Sequence, residues 1–324
     1  MTPIFKILAD SADITSRIQQ RLLSIRTSDE AGFKSDTCTI ELDDRDARIE
    51  LPRHGAKLDV SLGYAQSGLN RVGIYTVDEA SGLGFPETLT INAKAADVRD
   101  DLKSRKSRSF DNITFRDLVT TLATENALTG RISADLDGVF FPHLDQTDES
   151  DLHFLTRLAK RYNAVAKITH GVMLVTQAGQ SKSISGALLE TVYISKHQIS
   201  DFNWLLADRG KYAAVNATWF NKATGQKVIV STSTKKPAYT LRHTYDTERE
   251  AIDAAKSKQS ELDQGSSTLD ITLAIGDSTL FAETPLVLRG FRPEIDNLNW
   301  TITRLEHNFS DQGFTTAISA KIKP

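Results

Sequence analysis

Apolar and polar residues alternate over several short runs near the start of this chain, and this period constrains its fold more than any other feature. Residues 37–43, 57–64 and 88–95 each place an apolar residue at every second position. Because successive side chains of a strand point to opposite faces, each run predicts an antiparallel strand with one buried face. Turn residues separate the runs, so residues 1–100 predict a small barrel or sandwich, while 13–25 fits either a short helix or a strand.

The same alternation returns in the last third of the chain. Val215, Ala217 and Trp219 alternate with polar residues, and further runs occupy 269–273 and 314–322. Residues 246–264 interrupt these runs with apolar residues at helical spacing, preceded by the capping candidates Asp246 and Thr247 and followed by Gly265. This region therefore predicts a second β domain that contains one inserted helix.

Between the two β regions the spacing changes to that of short helices and a hairpin. Thr114 precedes apolar residues at helical spacing, and residues 165–175 fit a hairpin that turns at His170-Gly171. The order predicts a mainly β chain with an α+β insert. Its predicted domains are a β domain at 1–100, a small α+β domain at 101–184, and a second β domain at 185–324 with the inserted helix 246–264.

Composition narrows the function classes. A chain of 324 residues is long enough for about two or three domains, and its net charge of −3 argues against a general nucleic-acid coat. The single cysteine, Cys38, lies on the apolar face of a predicted strand and indicates a small core residue in a protein that folds in a reducing compartment. No signal peptide and no membrane span are predicted.

The most distinctive stretch is His143–Tyr162. Its first half, 145–151, is acidic and predicts a polar loop, and its second half has one apolar face typical of a helix. Ser150 is placed to cap that helix, with Glu149 and Asp151 at the end where negative charge is favoured. We expect the acidic residues to serve in capping and loop hydrogen bonds, with a Ca²⁺ site as the alternative.

A basic run precedes this stretch. Lys103, Arg105, Lys106 and Arg108 lie within six residues of one another. We expect a solvated linker face, with contact to an acidic partner or to nucleic acid as the alternative. No catalytic signature, phosphate-binding loop or clustered zinc ligands are found, so the sequence predicts neither an enzyme nor a cofactor.

The stretch 146–158, QTDESDLHFLTRL, closely resembles a signature of the phage late control D family, the baseplate hub proteins of contractile phage tails and tailocins. A near variant occurs in the hub part of type VI secretion spike proteins. Further segments of the chain match the family in the same order. They are 35–45, 51–55, 62–64, 73–79, Asp208-Arg209, 215–219, 283–286, 290–293, 300–302 and 313–316.

The resemblance implies a structural hub with two tube-like antiparallel β-barrel domains and a small α+β domain. It implies a homotrimer in which paired barrels let three chains present six similar domains, adapting the sixfold tail tube to the threefold central spike. The motif and interface candidates are Gln146, Glu149, Ser150, Asp151, Phe154 and Arg157.

The implied partners are the tail spike protein and the tail tube protein, with the tape-measure protein and the baseplate wedge as further candidates. No membrane span and no specific nucleic-acid binding are expected. The resemblance places the protein in the baseplate of a virion or tailocin tail, assembled in the host bacterial cytoplasm. The alternative functions are a tail-associated cell-wall hydrolase and a distal tail adaptor.

Overall fold

The computed structural model describes residues 1–32, 36–95, 102, 104–169, 171–177, 189–206, 212–264 and 267–322. Several residues used in the sequence predictions lie outside these ranges. They are Ser35, Lys103, His170, Asp208, Arg209 and Gly265.

Residues 1–95 form seven strands and one short helix, and the alternating runs are strands as predicted. The elements are β1 (Pro3–Ala9), β2 (Ala12–Asp13), α1 (Thr15–Ile18), β3 (Leu22–Glu30), β4 (Thr37–Asp43), β5 (Lys57–Tyr64), β6 (Gly68–Leu83) and β7 (Thr88–Ala95). The segment 13–25, left open by the sequence, contains both the helix α1 and the start of β3. Cys38 is buried on β4, and this burial raises the pKa of its thiol to about 12.

The next region alternates strands and helices, as predicted for the α+β insert. Its elements are β8 (Arg105–Thr114), α2 (Phe115–Glu125), β9 (Thr129–Ile132), α3 (Ala134–Asp137), β10 (Phe140–Ser150), α4 (Asp151–Arg161), β11 (Ala164–Thr169) and β12 (Val172–Gln177). Thr114 caps α2, since its side chain accepts a hydrogen bond from the Asp117 N–H. The helix ends before Gly130, which lies in β9, because Ala127 adopts a positive φ of 52°.

Residues 190–322 contain the remaining strands. The elements are β13 (Val192–Ser195), a single 3₁₀ turn (Lys196–Gln198), β14 (Ile199–Leu206), β15 (Ala214–Asn221), β16 (Gln226–Ser231), β17 (Ala238–Tyr245), α5 (Glu248–Gln264), β18 (Ser267–Leu273), β19 (Pro285–Arg289), α6 (Pro293–Asp296), β20 (Asn299–Ser310) and β21 (Gly313–Ile322). The predicted helix 246–264 is confirmed as α5. Of its two capping candidates, Thr247 accepts the Glu250 N–H at 3.2 Å.

Two compact units make up the chain, each from separate segments. Unit 1 comprises Met1–Arg99, Glu190–Asn203 and Leu269–Ala320, and unit 2 comprises Asp100–Leu189, Trp204–Thr268 and Lys321–Pro324. The partition into domains at 1–100, 101–184 and 185–324 stays a prediction.

Unit 1 is built on one sheet of 13 strands. Its main path runs β14-β18-β21-β20-β3-β4-β7-β6-β5-β1-β2, and β13 joins through β19, which pairs with β20. The described pairs within 1–95 are antiparallel, as expected for strands joined by short turns. Their buried face carries the alternating apolar residues, joined in the core by Phe309 and Phe314 from β20 and β21.

The two ends of the chain repeat one strand order. In the N-terminal block the order is β1-β5-β6-β7-β4-β3, and in the C-terminal block it is β13-β19-β20-β21-β18-β14. If the six strands of each block are numbered in the order in which the chain forms them, strands with the same number occupy the same position in the two strand orders. The first strand differs in direction, because β1 is antiparallel to β5 whereas β13 is parallel to β19.

Unit 2 contains three small sheets. They are the pair β8–β10, the three strands β11-β12-β9, and the three strands β16-β15-β17. In the last of these, Val215 and Ala217 of β15 pack in one cluster with Ala251 and Ala255 of α5. The helix predicted from its alanine-rich face therefore buries that face on a sheet. The described part of the chain is thus mainly β with interspersed helices, which confirms the predicted fold class.

Candidate functional site

The acidic stretch 145–151 is not the predicted loop, and the described residues of the basic run, Arg105, Lys106 and Arg108, lie in a strand and not on a solvated linker face. Residues 140–150 form strand β10, which pairs antiparallel with β8 along the basic run. The register sets Lys106 opposite Glu149 and Arg108 opposite Gln146, with a bulge between Gln146 and Glu149. Both predictions were wrong because opposite charges on neighbouring strands neutralise each other, and a bulge absorbs the turn-forming residues.

Asp151 is the centre of the site. It begins α4, its side chain is fully buried, and its carboxylate accepts hydrogen bonds from four other side chains. The donors are Lys106 Nζ at 2.6 Å, Arg108 Nη2 at 2.9 Å, Gln146 Nε2 at 2.9 Å and Asn126 Nδ2 at 3.1 Å.

The charge of Asp151 is stabilised by those donors. Burial alone would raise the pKa of the Asp151 carboxyl, but the hydrogen bonds from Lys106, Gln146 and Asn126 and the nearby Arg108 charge outweigh it, so the pKa lies below its ordinary value. A buried carboxylate with this many donors is held ionised and has no lone pair directed at solvent. Such a group serves to fix the elements around it.

Arg108 and Gln146 connect this centre to the strand pair and to α2. Arg108 donates from Nε to Gln146 Oε1 at 2.8 Å and from Nη1 to both oxygens of Glu125, at 2.9 and 2.7 Å. The buried Gln146 also donates to the Glu149 carbonyl at 2.9 Å, across the bulge. Because Glu125 is on α2 and Asp151 starts α4, one guanidinium ties two helices to β8.

A second ion pair holds the other side of the bulge. Arg157 of α4 donates to both carboxylate oxygens of Glu149, from Nη2 at 2.5 Å and from Nε at 3.2 Å. Arg157 also donates to the Asp145 carbonyl at 2.9 Å. The bidentate geometry anchors the helix to the strand that precedes it.

Aromatic rings complete the site. Phe154 of α4 is fully buried and stacks on Phe110 of β8, with 5.7 Å between ring centroids and 12° between planes. The Arg108 guanidinium lies 4.9 Å from the Phe110 centroid, and that of Arg157 lies 5.3 Å from the Phe154 centroid. The two arginines of the ion pairs therefore flank one aromatic stack.

Ser150 caps α4, as predicted from sequence. Its side chain accepts the His153 N–H at 3.2 Å, with Ser150 itself in an extended conformation. The six predicted site residues thus come together: Gln146, Glu149 and Asp151 at the polar centre, Ser150 at the cap, Phe154 on the packed face of α4, and Arg157 at the exposed edge, where it pairs with Glu149.

The sequence predictions missed the donors on other elements. Lys106, Arg108 and Asn126 come from β8 and the end of α2, and Phe110 supplies the second ring. One signal was available for β8. The long side chains Lys106, Arg108 and Phe110 alternate with Ser107 and Ser109, a period typical of a strand. No comparable signal marks Asn126, whose role depends on where α2 ends.

The Asp151 and Glu149 carboxylates are occupied by cations and amides of the same unit. Asp148, a residue of the alternative Ca²⁺ site, pairs with Arg105 at the surface. Within the described ranges, no group of three or more His, Cys, Asp or Glu residues could hold a metal ion. Likewise, no helix among these residues is long and apolar enough to cross a membrane.

Comparison with known proteins connects this motif and fold to phage tails. The profile of the phage tail baseplate hub (GPD) family matches residues 42–313. The chain is 34% identical to the probable baseplate hub protein of Escherichia phage 186, over 100% of this chain and 94% of that protein.

Solved structures share the fold at lower identity. The 43 kDa tail protein of prophage MuSo2 from Shewanella oneidensis superposes with a TM-score of 0.72 at 17% identity, covering 98% of both chains. An Escherichia coli component of the type VI secretion system, described as similar to bacteriophage T4 tail proteins, has a TM-score of 0.57 at 10% identity. The alignment covers 93% of this chain and 73% of that protein. These descriptions name tail and secretion components and give no support to the hydrolase alternative. By profile and by full-length identity, this chain belongs to the phage tail baseplate hub family, and it is a structural component of the tail baseplate.

Proposed function

We propose that three copies of this chain form the hub that adapts the sixfold tail tube to the threefold central spike. The observation that carries the proposal is the repeated strand order of the two β blocks. Three chains with two similar blocks each supply six similar blocks, while the ring itself keeps threefold symmetry. One face of such a ring can match a sixfold partner and the other a threefold partner.

The proposed partners follow from this symmetry. The tail tube protein would contact the six similar blocks, and the tail spike protein would contact features that occur three times. The tape-measure protein and the baseplate wedge are further proposed partners. The type VI secretion component of similar fold supports a spike-associated setting. The protein would act in the virion or tailocin baseplate after assembly in the host cytoplasm, as a non-enzymatic component.

The proposed domain partition is three regions, 1–100, 101–184 and 185–324. The first and third would form the tube-like barrels. The second would carry the Asp151 site, whose ion pairs hold α4 against β8 and β10. In this proposal the site is a rigid structural support for the ring, and its residues serve packing rather than a reaction.

The test is the mass and symmetry of the purified protein. We expect native mass spectrometry to give a trimer, either from the protein alone or after co-expression with its spike protein. Electron microscopy should then show a threefold ring with six similar lobes. A stable hexamer with six identical environments, or a monomer that persists with the spike protein present, would refute the proposal.

A further inference from the structure

One strand pair within the chain, β3 with β20, links the two β blocks; it is called the internal joint below. Strand β20 pairs antiparallel with β3 through seven consecutive residue pairs, from Arg304↔Glu30 to Ser310↔Ser24. Side chains support the joint: Arg26 Nε lies 3.0 Å from Asn308 Oδ1 and 3.3 Å from Glu306 Oε1. Thus β3, the edge strand of the N-terminal block, pairs with β20 of the C-terminal block.

The strand order identifies the counterparts of these two strands. The counterpart of β3 is β14, and the counterpart of β20 is β6. The turn before β5 and the turn before β19 make the same backbone hydrogen bonds, to β6 and to β20 respectively. Gly55 N donates to Val77 O at 2.8 Å and Val77 N to Ala56 O at 2.9 Å, while Glu283 N donates to Ile302 O at 2.8 Å and Ile302 N to Thr284 O at 3.0 Å.

Backbone conformation supports the same correspondence. Gly55 has φ 81° and Glu283 has φ 71°, so both blocks use a left-handed residue at this turn. A non-glycine residue rarely adopts this conformation, so its recurrence at matching places is informative. Val77 and Ile302 therefore occupy equivalent positions, and the part of β20 that pairs with β3 corresponds to residues 79–85, of which 79–83 belong to β6.

Both counterpart edges are open among the described residues. Strand β14 pairs with β18 and with no other described strand. Residues Glu79–Leu83 pair with β7 on one side, while on the other side β5 reaches only as far as Thr76. In the second block this edge of β20 pairs with β3. The matching edge of β6 in the first block pairs with no described strand.

Both edges lack some of the features that keep natural edges from pairing, although each carries one exposed carboxylate, Glu79 or Asp201, and β6 has a bulge between Val77 and Glu79. Residues 79–83 and 199–203 contain no lysine, arginine or proline. Each exposes an apolar side chain, Leu83 at 74% and Phe202 at 40%. An exposed strand edge of this kind is a template for pairing with another chain.

We propose that β14 of one copy of this chain pairs antiparallel with Glu79–Leu83 of β6 in a second copy, repeating between subunits the β3–β20 joint found within each chain. This inference rests on the proposed trimeric hub and names the strands that close it. Three such pairings would make one continuous sheet around the ring, in which every block-to-block joint has the same form.

The test is disulfide formation between copies. Residues opposite each other in antiparallel strands have Cα atoms about 4.5–5.5 Å apart, within the range that a disulfide spans. Ser81→Cys is combined with Ser200→Cys, Asp201→Cys or Phe202→Cys, which samples three neighbouring registers. The native Cys38 is 1% exposed and stays in place as an unreactive thiol.

Two control pairs bracket the result. Ser24→Cys with Ser310→Cys lies across the internal joint and should give an intrachain disulfide that leaves a monomer band. Asp13→Cys with Ser200→Cys combines β14 with the opposite end of the sheet and should give no specific product. We expect at least one Ser81→Cys pair to give a covalent trimer on a non-reducing gel, and its single variants to give none.

A measurement without substitutions checks the same joint. Amide hydrogen exchange at 79–83 and 199–203 should slow at least tenfold in the trimer relative to the monomer, because newly paired N–H groups are protected. A trimer in solution with no covalent trimer from any pair and unchanged exchange at both edges overturns this inference but leaves the hub proposal standing. A protein that never forms a trimer overturns the hub proposal itself.

Discussion

The Asp151 carboxylate and the Arg108 guanidinium form a partly buried ion pair, with 2.9 Å between Oδ1 and Nη2; no part of the Asp151 side chain is exposed, and 26% of the Arg108 side chain is. The two residues lie 43 positions apart, on α4 and β8. Their contact joins the basic segment of β8 to the start of α4. Removing it should change the stability of the protein measurably.

Removal of the buried carboxylate should destabilise unit 2 strongly. Asp151→Ala removes the acceptor of Lys106, Arg108, Gln146 and Asn126. Since the two cations are partly exposed and keep Glu125 as a partner, we expect a loss of about 2–3 kcal/mol, below the roughly 3–5 kcal/mol of a fully buried pair. Urea unfolding of the whole protein, followed by circular dichroism, should show a lower midpoint. The control is Asp148→Asn, which suits the positive φ of 47° at this position; the pair of Asp148 with Arg105 is about 70% exposed on both sides and should contribute about 0–1 kcal/mol. Equal effects of the two substitutions would contradict the assigned role of Asp151.

The cap of α4 should contribute a smaller amount. Ser150→Ala removes the side-chain acceptor of the His153 N–H and should cost about 1 kcal/mol. Ser150→Gly should cost only a few tenths of that, since glycine leaves the backbone N–H groups open to water. Thermal unfolding of both variants compares them directly, and a larger loss for glycine than for alanine would count against the cap.

Acid should weaken unit 1 through His307. This residue is buried beside Phe314, its Nδ1 lies 2.9 Å from Thr316 Oγ1, and burial lowers its pKa to about 4. The unfolded chain takes up the proton near pH 6.5, whereas the folded one does so only near pH 4. The unfolded state therefore binds more protons in this window, and stability should fall by on the order of 3 kcal/mol as pH drops from 6.5 to 4.

The measurement is the urea midpoint as a function of pH. His307→Gln cannot take up a proton, so it should flatten the curve between pH 6.5 and 4 even if it lowers stability overall. A wild-type curve that is flat across this window would show that His307 does not titrate as its burial predicts.

The left-handed turn before β5 should tolerate little beyond glycine. A Cβ at Gly55 would meet no atom within 4 Å, so any cost of Gly55→Ala arises from its φ of 81° alone. We expect a loss of about 1 kcal/mol, measured by thermal unfolding. Gly138→Ala is the matched control, because that glycine also has open space around its Cβ position but a φ of −85°. It should change stability by much less.

The parts of the fold that depend on local spacing were predictable from sequence. The alternation at 37–43 predicted β4, and helical spacing with a cap predicted α4 and α5. The site was predictable only in part. Gln146, Glu149 and Asp151 stood out by motif, but their partners Lys106, Arg108 and Asn126 are 25–45 residues away and are brought together by strand pairing. The acidic segment 145–150 misled because polar residues favour turns locally, and the pairing with β8 overrides that tendency.

The repeated strand order sets where the chain can carry extra material. In the N-terminal block β3 leads to β4 through residues 31–36, whereas in the C-terminal block the counterpart connection, β14 to β18, carries the segment Trp204–Thr268. The repeated strand order thus lets one block carry an inserted segment at a place where the other block has a short connection. In the proposed three-chain ring the two blocks of each chain would alternate, so the inserted segment would occur at every second block. This alternation would follow from the sequence of each chain and would need no partner protein.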